Sequence, residues 1–127
     1  MNDKKYAKQL LELARKDLTA LHGMLGDETT FDDAIFGFHA QQTVEKSLKA
    51  LLSNKEVEFK KTHDLSELFA QIKERGNELP EEFSYLIELT DFAVEYRYDL
   101  MLDEEPINRR EILEKINKLF ELVNELI

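Results

Sequence analysis

Residues 38–52 read Phe38-His39-Ala40-Gln41-Gln42-Thr43-Val44-Glu45-Lys46-Ser47-Leu48-Lys49-Ala50-Leu51-Leu52. Phe38, Gln41, Glu45, Leu48 and Leu52 recur at intervals of three and four, the spacing that brings side chains onto one stripe of a helix. Gln41 and Glu45 interrupt an otherwise apolar row. Burying an amide and a carboxylate without partners costs on the order of several kcal/mol. The two must therefore face a polar cleft, an ion-pair partner or a second subunit. His39, Gln42, Lys46 and Lys49 form the adjacent row, which sets two cations beside that carboxylate.

Helical spacing continues on both sides of this stretch. Thr30 stands three residues before Asp33 in a capping-box pattern, opening a helix that reaches about Ser53 on a stripe of Ala34, Ile35, Phe38, Val44, Leu48, Leu51 and Leu52. A first helix precedes it from about Lys4 to Leu25, carrying Leu10, Ala14, Leu18, Leu21 and Leu25, with Gly26 at its end. After a polar connector from Asn54 to Thr62, either Thr62 or Asp64 caps a short third helix. Leu65, Leu68, Phe69 and Ile72 form its buried side, and Gly76 suits a left-handed stop. Pro80 belongs in the first turn of a fourth helix, whose face is Phe83, Leu86, Ile87, Thr90, Ala93, Val94 and Arg97. Tyr98 to Pro106 reads as an acidic loop. Asn108 and Glu111 make the capping box of a fifth helix, Ile107 staples onto Ile112, and Ile112, Ile116, Leu119, Val123 and Leu126 repeat as a seam beside a second row of Leu113, Phe120 and Ile127. The pattern predicts an all-α, up-and-down bundle of four to five helices, one domain over residues 1–127.

Composition agrees. The 127 residues are 43% hydrophobic and 35% charged, with only four glycines and two prolines to interrupt helices. Without cysteine there is no disulfide framework, thiolate metal site or cysteine nucleophile. No apolar run follows the charged N-terminus, and the longest uncharged stretch, Ala34 to Val44, falls far short of the roughly 20 residues that span a bilayer, so a cytoplasmic location is expected. The net charge of -10 repels nucleic-acid backbones at long range. Lys46, Lys49, Lys55, Lys60 and Lys61 could form a local basic patch, or could be solvated lysines balanced by Glu45, Glu56, Glu58 and Asp64, and the acidic total favours the second.

The 38–52 helix, the Lys61-Thr62-His63-Asp64-Leu65 turn with Leu68 behind it, and Glu95-Tyr96-Arg97-Tyr98-Asp99 follow one another in an order and spacing that resemble the HEPN family. The resemblance covers about Leu10 to Leu126. It implies a homodimeric bundle with a cleft where the two copies of the second and fourth helices converge. It also implies a minimal nucleotidyltransferase as partner in a toxin–antitoxin-type pair. Some members of the family are metal-independent ribonucleases, and others bind nucleotides or RNA.

The ribonucleases of that family carry an arginine followed after four to six residues by a histidine, which moves protons while the arginine steadies phosphorane charge. Arg97 stands at the matching place, but no histidine occurs after His63. Arg15 and His22 match the spacing only on the wrong helix. No catalytic residue is therefore assigned, and a nuclease would need His39 or His63 together with Arg97. In partnered members of the family the tyrosine that receives AMP follows the histidine that is missing here, whereas Tyr98 directly follows Arg97, so that role does not carry over to it. His22, His39 and His63 lie on separate segments, no Glu-x-x-His pair occurs, and neither a metal nor another cofactor is expected. Arg97 reads equally as a phosphate ligand or as the partner of Glu45, and Tyr96 or Tyr98 could stack on a base. The expected function is a binding module whose ligand-binding cleft holds Gln41, Gln42, Glu45, Lys46, Lys49, His63, Arg97 and Tyr98. The alternative is a ribonuclease toxin with an altered active site.

Overall fold

A computed structural model describes residues 3–76, 79–93 and 106–127. The α-helices are α1 (Lys4–Met24), α2 (Asp33–Asn54), α3 (Leu65–Glu74) and α4 (Arg109–Leu126), and a 3-10 helix, η1, occupies Glu81–Ala93 between the last two. No strand occurs among the described residues, so the all-helical bundle expected from the sequence is the fold found.

Asp3 caps α1 by accepting the Tyr6 N–H at 2.8 Å. Ala7, Leu10, Leu11, Ala14, Leu18, Leu21 and Met24 then face inward at helical spacing. The start of α1 meets the end of α2, because the Ser53 hydroxyl donates to the Asp3 carbonyl at 2.8 Å and Lys4 Nζ to the Asn54 carbonyl at 2.9 Å. The two helices form an antiparallel hairpin. Helix α2 touches α1, α3, η1 and α4, and buries residues around most of its circumference. Small residues make this possible: Ala40, Thr43, Ser47 and Ala50 are all buried, and the Thr43 and Ser47 hydroxyls bond carbonyls four residues back within the helix.

The start of α2 differs from expectation. Asp32, not Thr30, is the cap, accepting the Ile35 N–H at 3.0 Å, while Thr30 bonds back to Asp27 in the preceding turn. The first turn is rotated accordingly: Phe36 is fully buried whereas Ile35 is 42% exposed. At the other end the Glu56 N–H reaches the Ser53 carbonyl at 2.8 Å and the Val57 N–H the Leu52 carbonyl at 3.1 Å. This double closure turns the chain through a left-handed Glu56 (φ 60°) and packs Val57 beneath the helix end. Gly76, after α3, has φ +83°, the left-handed stop its sequence position suggests.

The fourth segment winds more tightly than expected. Phe83, Leu86, Leu89 and Phe92 are buried at intervals of three, the repeat of a 3-10 helix, whereas Ile87, Thr90 and Ala93 of the expected face are only partly covered. The remaining expected face residues, Val94 and Arg97, and most of the expected loop, residues 98–105, lie outside the described residues. The ridge ends on Phe92, whose ring sits against Gly37 so closely that a Cβ there would lie 2.4 Å from it. In α4, Asn108 accepts the Glu111 N–H at 3.0 Å as a capping residue should. The seam closes at Val123, since Leu126 is 50% exposed.

One buried and heavily bonded side chain is one the sequence did not single out. Arg109, the first residue of α4, is a cation at the positive end of a helix, a position the helix dipole disfavours. Its guanidinium is nevertheless buried, donating from Nε to Asp33 at 3.0 Å and through its terminal nitrogens to the Met24 and Phe31 carbonyls, and it lies 5.0 Å over the Phe36 ring. It thus ties the end of α1, the α1–α2 turn and the head of α2 to α4.

Arg109→Leu fills similar space but strands Asp33 and two carbonyls, and should cost about 3 kcal/mol in urea unfolding. Gly37→Ala gains about 1 kcal/mol of helix propensity but forces the Phe92 ring aside at about 1–3 kcal/mol, so the net effect is destabilising. In the Phe92→Leu background the penalty of that alanine should shrink, a coupling that a double-mutant cycle measures.

Candidate functional site

Glu45 sits in the fourth turn of α2 with its side chain only 7% exposed. Each oxygen is satisfied. Oε1 accepts from Gln41 Nε2 and lies against His63 Nδ1, both at 2.9 Å, and Oε2 accepts from Lys49 Nζ at 2.9 Å. Gln41, fully buried one turn earlier, also donates to the His63 carbonyl at 3.0 Å, and its own oxygen accepts from Gln42 Nε2 at 2.8 Å. The two polar intruders of the apolar stripe therefore find their partners within one chain, in the turn before α3.

That turn is held from several sides. Thr62 Oγ1 accepts the Asp64 N–H at 3.0 Å, and Asp64 caps α3 by accepting from Ser66 N at 3.0 Å, so both candidate capping residues take part. Thr90 of η1 accepts the Leu65 N–H at 3.1 Å. Gln71, buried in α3, clamps the connector by accepting from Lys60 N at 3.1 Å and donating to the Glu58 carbonyl at 2.7 Å. This scaffold fixes the His63 backbone while its ring stays 60% exposed. Lys49 also lies 5.2 Å over the Phe59 ring of the connector.

Lys46 goes elsewhere. Its Nζ bonds Asp17 Oδ2 of α1 at 2.6 Å, and Asp17 Oδ1 holds His39 Nδ1 at 3.0 Å. The arrangement around Glu45 is thus repeated, with a largely buried carboxylate bridging one histidine and one lysine. The structure gathers Gln41, Gln42, Glu45, Lys49 and His63 into one cluster and places Lys46 with His39 on its flank toward α1. Arg97 and Tyr98 lie outside the described residues. Asp17 and Gln71 were not found by sequence reasoning, since their partners are 11 or more residues away and nothing in their own segments marks them. Lys55, Lys60 and Lys61 are exposed.

Among the described residues, no group of three or more histidine, aspartate or glutamate side chains could hold a metal ion, and no helix is long and apolar enough to cross a membrane. A groove of about 700 Å³ between α3 and η1, with Phe69, Ile72, Leu79 and Ile87 on its walls, is lined by none of the expected cleft residues. Chemically, the α2 cluster presents an amide and two carboxylate-held imidazoles, with its cations already paired.

Burial by itself raises the Glu45 carboxyl, but hydrogen bonds from Gln41, Lys49 and His63 and the charge of Lys49 together outweigh it and hold the group below its ordinary value of 4.5. A carboxyl lowered on folding stabilises the fold above the ordinary value, and that contribution is lost as pH falls through the lower folded value. Glu45→Gln should therefore be less stable than the parent at neutral pH, and the gap should narrow below about pH 4.5 in pH-dependent urea melts.

Comparison with curated proteins and with solved structures finds no match. The family model described as the HEPN domain matches residues 7–126, which include every helix described above except the first residues of α1. The match spans the capped turn at His63, the α2 cluster and the bundle that supports them, and the chain belongs to the HEPN domain family.

Proposed function

We propose that this HEPN domain is a binding module whose α2 cluster takes a nucleotide or an RNA end. The cleft would be completed where two copies of the chain meet, and a minimal nucleotidyltransferase would be the partner protein in a toxin–antitoxin-type pair. One observation carries the ligand reading: the exposed His63 ring is bonded to a buried, fully bonded carboxylate, Glu45, and Gln42 donates to the buried Gln41 amide that the same carboxylate orients. Polar groups held that rigidly bind without first losing side-chain freedom. Gln41, Glu45 and Lys49 organise the site, Lys46 and His39 extend it, and Arg97 and Tyr98 contribute a phosphate fork and a stacking ring.

A second reading has its own support. Both His39 and His63 have Nδ1 held by a carboxylate, the arrangement that fixes an imidazole for proton transfer. In a ribonuclease, one ring would take the proton of a 2′-hydroxyl as its oxygen attacks phosphorus. The other would protonate the departing 5′-oxygen, leaving a cyclic phosphate.

Thermal shift with nucleotides and short RNAs, with RNA integrity followed in the same wells, separates the two. Binding predicts a rise of a few degrees with saturating ligand, reduced in Arg97→Ala, and intact RNA. Cleavage by the parent that is lost in His63→Ala would favour the nuclease, and no shift with any ligand would turn the search to the protein partner.

A further inference from the structure

The hydrogen bonds around Glu45 have a fixed direction. A carboxylate only accepts, so Gln41 must turn its Nε2 toward it, and both amide hydrogens are then spent on Glu45 and the His63 carbonyl. Gln41 is fully buried and cannot flip without stranding those partners. Its oxygen faces Gln42 and takes Gln42 Nε2, which leaves the Gln42 oxygen directed away from Gln41. The same carboxylate requires a proton on His63 Nδ1, so the neutral ring offers Nε2 as a lone pair. Asp17 imposes the identical tautomer on His39. Among the described residues nothing donates to these three outward atoms.

Within the described α2 cluster, the positive charge that would attract phosphate is meanwhile spent. Lys46 is bonded to Asp17 and Lys49 to Glu45, so two cations and two anions cancel within the cluster, on a chain whose net charge is -10. A phosphate brings only acceptor oxygens and would meet acceptors. We infer, building on the nucleotide- or RNA-binding reading above, that Gln42 and His63 select the ligand by the amino group of a nucleobase, as on adenine, rather than by its phosphates. An exocyclic amino group supplies two N–H donors, which can bridge the Gln42 oxygen and His63 Nε2, and the second Gln42 N–H can answer an adjacent ring nitrogen.

The test is fluorescence anisotropy of the full chain, in mildly alkaline buffer, with labelled decamers of adenylate and of purine riboside. The two share their backbone and nearly all their stacking surface, and differ in the amino group. Adenylate should bind about tenfold more tightly, the worth of a lost hydrogen bond that leaves a polar partner bare. Its affinity should fall only shallowly with salt, with a log–log slope no steeper than about -0.7, one phosphate's share on a single strand. Gln42→Met, which keeps the side-chain length but removes the acceptor together with the N–H given to the buried Gln41 oxygen, should bind both decamers alike while its far-ultraviolet circular dichroism stays native and its melt falls only modestly. Equal binding of the two decamers by the parent, or a steep salt slope, overturns this inference and leaves the binding module standing. Binding of neither overturns the module and the inference with it.

Discussion

A helix enclosed by its neighbours can carry a charge only if that charge is bonded, and α2 is enclosed by every other helix of the bundle. Glu45 is such a charge, and its three bonds decide much else. They draw the turn before α3 onto α2, set the Gln41 amide, and place the Lys49 stem against the connector. Gln71 then holds the connector and Thr90 the start of α3, so the polar face is built on two helices, a connector and η1 rather than on one exposed strip. A single substitution at Glu45 would leave a buried amide and a lysine short of an acceptor, which is why the cluster behaves as a unit.

How much of this was legible follows from distance along the chain. Gln41 and Glu45 announced themselves because a four-residue interval exposes an anomaly in an apolar row. The Asn108 and Asp64 caps were legible for the same reason, each being bonded within three residues. Arg109 was not, because its partners are 76 to 85 residues away and an arginine at a helix start looks like any surface cation. Lys46 was read beside Glu45, its neighbour in sequence, but geometry sent it across to Asp17. The tight winding of η1 was hidden as well. Periods of 3.0 and 3.6 coincide at Phe83 and Leu86 and part company only at Leu89 and Phe92, where the expected face continued to Thr90 and Ala93 instead.

Family membership and the physical reading of α2 meet at different levels. The family accounts for the bundle and for the order of its motifs. The particular bonds belong to this chain. It has no histidine after His63, yet it holds two of its three histidines by buried or nearly buried carboxylates on α1 and α2. Imidazoles fixed in this way are ordered before any ligand arrives, so the cost of arranging them falls on folding rather than on binding.

The three-residue ridge of η1 constrains how the chain can change in length. At about 120° per residue, one residue added or removed before Phe92 swings that ring a third of a turn away from the notch at Gly37. Removing three restores the face but shortens the element by about 6 Å, leaving the ring a full turn short of its seat. Neither change preserves both angle and reach. The stretch from Glu81 to Phe92 is therefore held to a single length by one missing methyl group on a neighbouring helix, and insertions are better absorbed beyond its ends.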